Sequence, residues 1–210
     1  MIAPEGVPFV AGAAVLTAVL YAVWPRSIAA AVPGLLLTAF MAWFFRDPER
    51  TPPSAPGAVI SPADGKIVFS GDCPAGIYTA APGKKVSVFM SVFDVHVNRA
   101  PVSGRVAAVR YNRGKFLAAN VDKASLENEQ NGVVVETAEG RKVTYVQIAG
   151  LIARRIVCDV GEDDEVVRGQ RVGLIRFGSR VDVYLPADAA LSVRAGDRVR
   201  AGESVLGVLP

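Results

Sequence analysis

Two long uncharged runs begin the chain, over residues 7–24 and 28–45. As a helix, each would extend for about 27 Å at roughly 1.5 Å per residue, close to the thickness of a bilayer's hydrocarbon core, about 30 Å. Aromatic residues lie near the ends of the runs, and Arg46 and Arg50 follow the second run, as expected where positive charge flanks a span on its cytoplasmic side. Residues 1–46 are therefore predicted to form a helical hydrophobic membrane anchor, with the remaining chain on the cytoplasmic face of the inner (plasma) membrane.

Two arrangements of this anchor stay open, namely two full spans or one re-entrant hairpin. Two full spans would place Arg26, in the short connector, on the opposite side of the membrane. A cleaved signal peptide is disfavoured because the first residues include Glu5 and neither Lys nor Arg, whereas signal peptides begin with positive charge.

The chain changes character after residue 46. Residues 47–57 contain four prolines and no apolar periodicity, which is typical of an extended linker. From residue 58 to residue 210, several β-branched runs with a period of two are broken by Gly and Pro, and this pattern predicts β-strands. The runs cover residues 66–69, 86–93, 132–136, 142–148 and 181–185.

The C-terminal part of this β-rich domain contains an internal repeat. The pattern Asp164-x-Val166-x-x-Gly169-x-x-Val172 recurs as Asp197-x-Val199-x-x-Gly202-x-x-Val205. Such a repeat resembles the hairpins of lipoyl- and biotinyl-type flattened β-barrels. The alternative is two unrelated turns that each need Gly at a positive φ. We predict a mainly β fold, a β-rich α+β class, with a flattened barrel or sandwich that follows the helical anchor.

Composition excludes several classes of function. Hydrophobic residues make up 51% of the chain and the mean hydropathy is +0.32, which favours a membrane protein. A net charge of +3 is too small for a nucleic-acid-binding surface. The two cysteines, with no CxxC or HExxH motif, provide neither a disulfide framework nor a zinc site.

His96 is the single histidine of the chain. Strand alternation over residues 93–98 would put it on a polar face with Asp94 and Asn98. A lone histidine is more often structural than catalytic. Any imidazole base at neutral pH must nevertheless be His96.

Asp64 and Ser179 are the other candidates for chemistry. Asp64 lies in the segment Ser-Pro-Ala-Asp-Gly, an ordinary turn signal, but a carboxylate there could also orient an imidazole. Ser179 follows Gly178, and neither glycine position of a Gly-x-Ser-x-Gly hydrolase motif is present around it. Each signal is weak when taken alone.

Together the three segments carry a resemblance. Ser-Pro-Ala-Asp64-Gly, Phe-Asp-Val-His96-Val-Asn-Arg-Ala-Pro and Phe-Gly178-Ser179 resemble the phosphatidylserine decarboxylase family, in particular its short bacterial and archaeal form. The resemblance covers about residues 58–209. It implies a membrane-bound lyase of phospholipid biosynthesis that converts phosphatidylserine to phosphatidylethanolamine and carbon dioxide.

The resemblance also implies that the precursor cuts itself between Gly178 and Ser179, into a β fragment of residues 1–178 and an α fragment of residues 179–210. Ser179 Oγ would attack the Gly178 carbonyl, and elimination with loss of ammonia would leave a pyruvoyl group at the new N-terminus. This covalent cofactor, with no metal, would form a Schiff base with the serine amine of the lipid. By the family pattern, His96 would be the base and proton donor, and Asp64 would orient it.

Two features depart from the family pattern. Many members have Thr after the cleaved serine, where this chain has Arg180, and many long members have a His-x-x-His pair, where this chain has only His96. One imidazole would then serve both self-cleavage and turnover, unless another group performs one of the steps.

The partners follow from the same resemblance: a phospholipid substrate, the membrane and the two fragments of one precursor, with a homodimer left open and no nucleic acid. Arg113, Lys115 and Phe116 form a basic turn beside an aromatic ring, which suits a headgroup at a membrane surface. The alternative is that these basic side chains are simply solvated.

Two other classes of protein fit part of the pattern. A membrane-tethered lipoyl/biotinyl-like carrier or adaptor would keep the β repeat without any cleavage, but residues 159–210 contain no lysine to modify. A membrane-bound serine hydrolase would stay a single chain and would react with a fluorophosphonate.

Overall fold

The computed structural model describes residues 1–23, 28–115, 127–150, 155–176 and 179–210. The chain divides into two compact units, Met1–Glu49 and Arg50–Pro210. The two units are described separately below.

The first unit is a pair of antiparallel helices. A short 3-10 helix, Pro4–Gly6, leads into α1, Val7–Val23, and α2 covers Ile28–Phe44. The two helices pack along their length, with Thr17 Oγ1 3.3 Å from Thr38 Oγ1 and the rings of Phe9 and Phe45 stacked 5.3 Å apart. The helical segment Pro4–Val23 is long and apolar enough to cross a membrane, with a hydropathy of 2.0. This is the feature that the anchor prediction requires.

The described residues of the second unit form fourteen β-strands. Their bounds are β1 Ala58–Ile60, β2 Gly65–Cys73, β3 Gly83–Met90, β4 Val97–Arg99, β5 Gly104–Asn112, β6 Gln130–Glu136, β7 Lys142–Ala149, β8 Ile156–Cys158, β9 Glu165–Val166, β10 Arg171–Ile175, β11 Ser179–Pro186, β12 Ala190–Leu191, β13 Arg198–Val199 and β14 Val205–Val208.

Eight strands form one antiparallel sheet, in the order β13-β2-β3-β11-β7-β6-β5-β9, which curls into a half-barrel. Two three-stranded sheets, β1-β14-β12 and β4-β10-β8, complete the unit. The inner face of the large sheet is lined by valines that alternate with outer residues along β3, β7 and β11, as the period-two pattern requires. The mainly β fold predicted from the sequence is confirmed.

The internal repeat is present as two strand–turn–strand units. Gly169 and Gly202 occupy equivalent turns with φ of +85° and +78°, which explains the glycine in each copy. The two strands of each copy do not pair with each other in the described sheets, because β9 and β13 join the large sheet while β10 and β14 join the smaller ones. Each copy of the repeat therefore connects the large sheet to one of the two smaller sheets.

Candidate active site

Ser179 is the first residue of β11 and is fully buried. It pairs with Met90 of β3 on one side and with Ala149 of β7 on the other. Its side chain points to the inner face, where Oγ donates a hydrogen bond to Met90 Sδ at 3.3 Å. Two ladders of backbone hydrogen bonds thus hold this residue in the middle of the large sheet.

A buried polar network lies beside Ser179 on the same inner face. Asn98 Nδ2 is 3.9 Å from Met90 Sδ, and Asn98 Oδ1 accepts a hydrogen bond from Gln147 Nε2 at 3.0 Å. Gln147 Oε1 in turn accepts from Asn131 Nδ2 at 3.2 Å. These amides are at most 2% exposed, and buried amides remain stable only when their hydrogen bonds are made.

His96 lies in the segment between β3 and β4, and it is 2% exposed. Its Nδ1 is 3.0 Å from the carbonyl oxygen of Asp94. Because a carbonyl oxygen can only accept, Nδ1 carries the proton in this hydrogen bond. The backbone carbonyl of His96 accepts from Ile175 N at 3.4 Å, which ties the histidine segment to the strand that leads toward Ser179.

The strand expected over residues 93–98 is wrong in its first half. The Asp94 carboxylate accepts from both the N–H and the hydroxyl of Ser91, each at 2.8 Å, and this local capping closes a turn that ends β3 at Met90. Residues 95–98 are all buried instead of alternating between two faces. His96 therefore owes its position to a turn.

Asp64 lies in the turn between β1 and β2, and its side chain is 13% exposed. Its Oδ1 accepts from the N–H of Ala201 at 2.7 Å, and its Oδ2 accepts from Arg50 Nη2 at 2.9 Å. Burial raises the pKa of Asp64, outweighing the lowering by the Ala201 hydrogen bond and by Arg50. The hydrogen bonds described at this carboxylate thus go to Arg50 and Ala201.

The three motif segments nevertheless converge. Asn98 Nδ2 is 3.4 Å from the carbonyl oxygen of Pro62, two residues before Asp64, and the N–H of Arg99 donates to the same oxygen at 2.9 Å. Asn98 therefore joins the Asp64 turn to Met90, the cross-strand partner of Ser179.

Two other polar residues near the network cannot act as bases at neutral pH. Burial raises the pKa of Tyr145 well above its ordinary value, and burial also raises the pKa of the Cys158 thiol. Both groups stay protonated.

Arg180, the departure noted after the serine, points to the opposite face of the sheet. It is fully buried, with Nε 2.6 Å from Asp182 Oδ1 and Nη2 2.8 Å from Ser87 Oγ. Since successive side chains of a strand alternate between faces, a threonine here would not place its hydroxyl beside Ser179 either.

The predicted headgroup turn is only partly described. Arg113 is exposed, and Lys115 Nζ is paired with Glu127 Oε2 at 2.9 Å. Lys115 forms a bridge with Asn128, whose side-chain Nδ2 donates to the carbonyl of Ala149 at 2.7 Å. Phe116 lies outside the described residues, as does Gly178, the other half of the predicted cleavage site.

A large cavity of about 870 Å³ lies elsewhere, beneath the loop of residues 76–82 and near Tyr184 and Leu185 at the far end of β11. Its distance along β11 from Ser179 argues against a role in the chemistry of that residue. Within the described ranges no three His, Cys, Asp or Glu side chains cluster in a way that could hold a metal ion.

Sequence reasoning missed the residues that connect the candidates. The sequence places Asn98 only on a polar strand face and gives Gln147, Met90 and Arg50 no role in the site. Gln147 carries one usable signal, since it is an amide in line with Val143 and Tyr145 on the inner side of β7. The contacts of Met90 and Arg50 depend on pairings between distant parts of the chain and leave no local signal.

Comparison with known proteins agrees with the motif resemblance. The sequence model of the family described as Phosphatidylserine decarboxylase matches residues 37–207. A protein named phosphatidylserine decarboxylase proenzyme from Geobacter metallireducens is 52% identical over 212 residues, which cover 100% of this chain and 97% of the relative. Proteins of the same name from Desulfotalea psychrophila and Saccharopolyspora erythraea are each 51% identical, cover 98% of this chain and are themselves covered to 95% and 87%. The resemblance predicted from three short motifs is thereby confirmed, and the chain belongs to the phosphatidylserine decarboxylase family.

Proposed function

We propose that this chain is the precursor of a membrane-bound, pyruvoyl-dependent phosphatidylserine decarboxylase that cuts itself between Gly178 and Ser179. The relatives named above carry the word proenzyme in their names, which fits a chain that must be processed before it acts. The observation that carries the proposal is the junction at Asn98, whose side chain contacts both the Asp64 turn and the residue opposite Ser179.

His96 is proposed as the base that activates Ser179. The hydrogen bond from Nδ1–H to the Asp94 carbonyl fixes the tautomer in which Nε2 can accept a proton. A neutral imidazole that removes the hydroxyl proton would let Ser179 Oγ attack the Gly178 carbonyl, and the peptide bond would become an ester. Glycine suits this step because it leaves its carbonyl unshielded.

The second step breaks the ester. Loss of the Ser179 α-proton expels the Gly178 carboxylate and leaves a double bond at residue 179. Addition of water to the resulting enamine then releases ammonia and gives the ketone of a pyruvoyl group. When formed, this group supplies a ketone that condenses with the serine amine of the lipid and draws electrons away as carbon dioxide leaves.

The strand position of Ser179 suits a cofactor made in place. β11 is hydrogen-bonded to both β3 and β7 from its first residue, so the new N-terminus would stay in the sheet after the chain is cut. The inner face there is dry and amide-lined, which helps to exclude water from the reacting centre. His96 would then return a proton to the decarboxylated substrate.

Asp64 is proposed to support His96 with negative charge rather than by a described hydrogen bond, since its two oxygens are held by Arg50 and Ala201. Arg113, Lys115 and Phe116 are proposed to contact the lipid phosphate. Lys115 is connected to Ser179 through its bridge to Asn128, whose side chain is hydrogen-bonded to Ala149, the cross-strand partner of Ser179.

The membrane anchor supports a location at the inner membrane. The apolar helical segment Pro4–Val23 would hold the catalytic domain close to its lipid substrate, on the cytoplasmic face. The expected partners are the phospholipid, the membrane and the two fragments of the same precursor, with a homodimer as an open alternative.

The proposal is tested by comparing the wild-type protein with Ser179→Ala and His96→Ala on a denaturing gel. We expect two fragments from the wild type and one full-length chain from each variant. Normal cleavage of His96→Ala would assign the base to another group, and normal cleavage of Ser179→Ala would overturn the proposal. A serine hydrolase would instead stay uncut in all three.

A further inference from the structure

Two arginines connect the linker after the anchor to the catalytic domain through hydrogen bonds and ion pairs. Arg168 donates from Nη1 to the carbonyls of Ala55 and Ala58, each at 3.0 Å, and from Nη2 to the carbonyl of Pro53 at 2.7 Å. Arg50, at the start of the linker, makes two ion pairs with the domain. The sequence predicts Arg50 only as part of the positive flank of the anchor.

Two ion pairs hold the side chain of Arg50 in a largely buried position. Its side chain is 10% exposed, with Nη2 2.9 Å from Asp64 Oδ2 and Nη1 3.0 Å from Glu203 Oε2. Gly202 makes room for both Arg50 and Arg99, since a Cβ there would lie 3.3 Å from Arg50 Cβ and 2.8 Å from Arg99 Cδ. Two carboxylates contact separate nitrogens of the Arg50 guanidinium and therefore fix the orientation of its plane. The fixed guanidinium in turn holds the Asp64 carboxylate in position.

We propose that Arg50 is a positioning residue for self-cleavage, whose guanidinium holds the Asp64 carboxylate in place and charged beside the histidine segment. This inference rests on the proposed function, because it needs Asp64 to act in maturation.

The charges around Asp64 support such a role. Burial and the nearby Asp94 raise the pKa of Asp64, whereas the hydrogen bond from the Ala201 N–H and the charge of Arg50 lower it. Asp94 comes from the turn after β3, and Glu203 from the C-terminal turn faces the site through Arg50. Among the described residues, Arg50 is the cation in contact with this carboxylate, and with the Ala201 N–H it opposes the effect of burial.

The expected effect is a shift of the pH profile, which a merely structural contact would not produce. Without Arg50, Asp64 takes up a proton at a higher pH, so self-cleavage should fail earlier on the acid side. An Arg neighbour typically lowers an Asp pKa by one to three units, so we expect Arg50→Gln to cleave about tenfold more slowly than wild type at the acid end and within about threefold at the alkaline end. Arg50→Lys keeps the charge and should restore most of the acid-side rate.

The experiment follows cleavage of the full chain made by cell-free synthesis with lipid vesicles. Synthesis is stopped, the precursor is shifted to buffers from about pH 5.5 to about pH 9, and fragment formation is followed on gels. Arg200→Gln is the matched control, because Arg200 lies 3.8 Å from Glu203 and is 72% exposed. Arg168→Gln removes the guanidinium hydrogen bonds to the linker without changing a contact of Asp64. Both controls should keep the wild-type profile.

A second variant should shift the pH profile in the opposite direction, and it replaces Arg50→Gln if that variant does not fold. Glu203→Gln removes the competing carboxylate from Arg50, so its acid limb should move to lower pH. The inference is overturned if Arg50→Gln slows cleavage equally at every pH, if Arg168→Gln gives the same shift, or if Glu203→Gln leaves the profile unmoved. Wild-type cleavage by Asp64→Asn would instead remove the role of Asp64 from the proposed function, whatever the Arg50 variants do.

Discussion

The buried pair of Arg180 and Asp182 should be the most sensitive electrostatic contact near the cleavage site. Both side chains are fully buried, and the distance from Arg180 Nε to Asp182 Oδ1 is 2.6 Å. Removing one partner of a buried ion pair typically costs about 3–5 kcal/mol, because the other charge stays buried. Lys85 Nζ, at 4.0 Å from Asp182 Oδ2, would offset part of this cost.

The perturbation is Arg180→Met in a Ser179→Ala background, which keeps the precursor as one chain. For a domain of 150–250 residues, each kcal/mol changes Tm by about 2–4 °C. A loss of about 3–5 kcal/mol therefore predicts a Tm lower by roughly 6–20 °C, measured by thermal melting of the detergent-solubilised protein. The matched control is Arg194→Met, whose pair with Asp197 spans 3.7 Å and whose side chain is 90% exposed. An exposed pair contributes about 0–1 kcal/mol.

A double-mutant cycle separates the pair from general damage. Arg180→Met combined with Asp182→Leu should lose clearly less than the sum of the two single losses, because neither fully buried charge of the pair is then left alone. The reasoning is refuted if Arg180→Met melts within about 2 °C of its parent, or if the two losses simply add.

Three further predictions concern residues of the candidate active site. His96→Ala should slow self-cleavage by about 10²- to 10⁴-fold, the usual contribution of a general base, and a gel time course that matches the wild type would contradict it. Gln147→Leu removes the Nε2 donor from Asn98 Oδ1 and from the Val157 carbonyl and should destabilise the domain by about 2 kcal/mol or more. The control Gln170→Leu, at an exposed residue, should not destabilise it. Equal melting temperatures of the two variants would argue against the network. Because burial raises the pKa of Asp64, the contribution of this carboxyl to stability is present below its unfolded pKa and is lost as the pH rises through its folded pKa. Asp64→Asn in the Ser179→Ala background should therefore gain Tm relative to its parent as the pH rises above the unfolded pKa, about 3.9. A Tm difference that does not change with pH would disprove this.

The strands could be predicted because local pattern and tertiary environment agree in them. β7 and β11 have apolar residues at alternate positions, and the inner set, such as Val181 and Val183, is the one that the core buries. The glycines of the repeat were readable for the same reason, since a turn with positive φ favours Gly wherever it occurs. In each case the signal lies within a few residues.

The site was harder to predict because its contacts join distant segments. Arg50 is 14 residues from Asp64 and 153 from Glu203, and no local pattern records such a pairing. The histidine segment was misread because valines on both sides of His96 favour a strand, while the capping carboxylate of Asp94 makes a turn. Motif resemblance identified the reacting residues, but the network around them required the register of the sheet.

The central claim is that Ser179 becomes a ketone through the loss of its own peptide bond to Gly178. The most direct test is the intact mass of the C-terminal fragment from purified wild-type protein. We predict a fragment of residues 179–210 that is lighter by one ammonia than the same peptide with an N-terminal serine. Active protein recovered as one uncut chain, or a fragment that still begins with serine, would contradict the account.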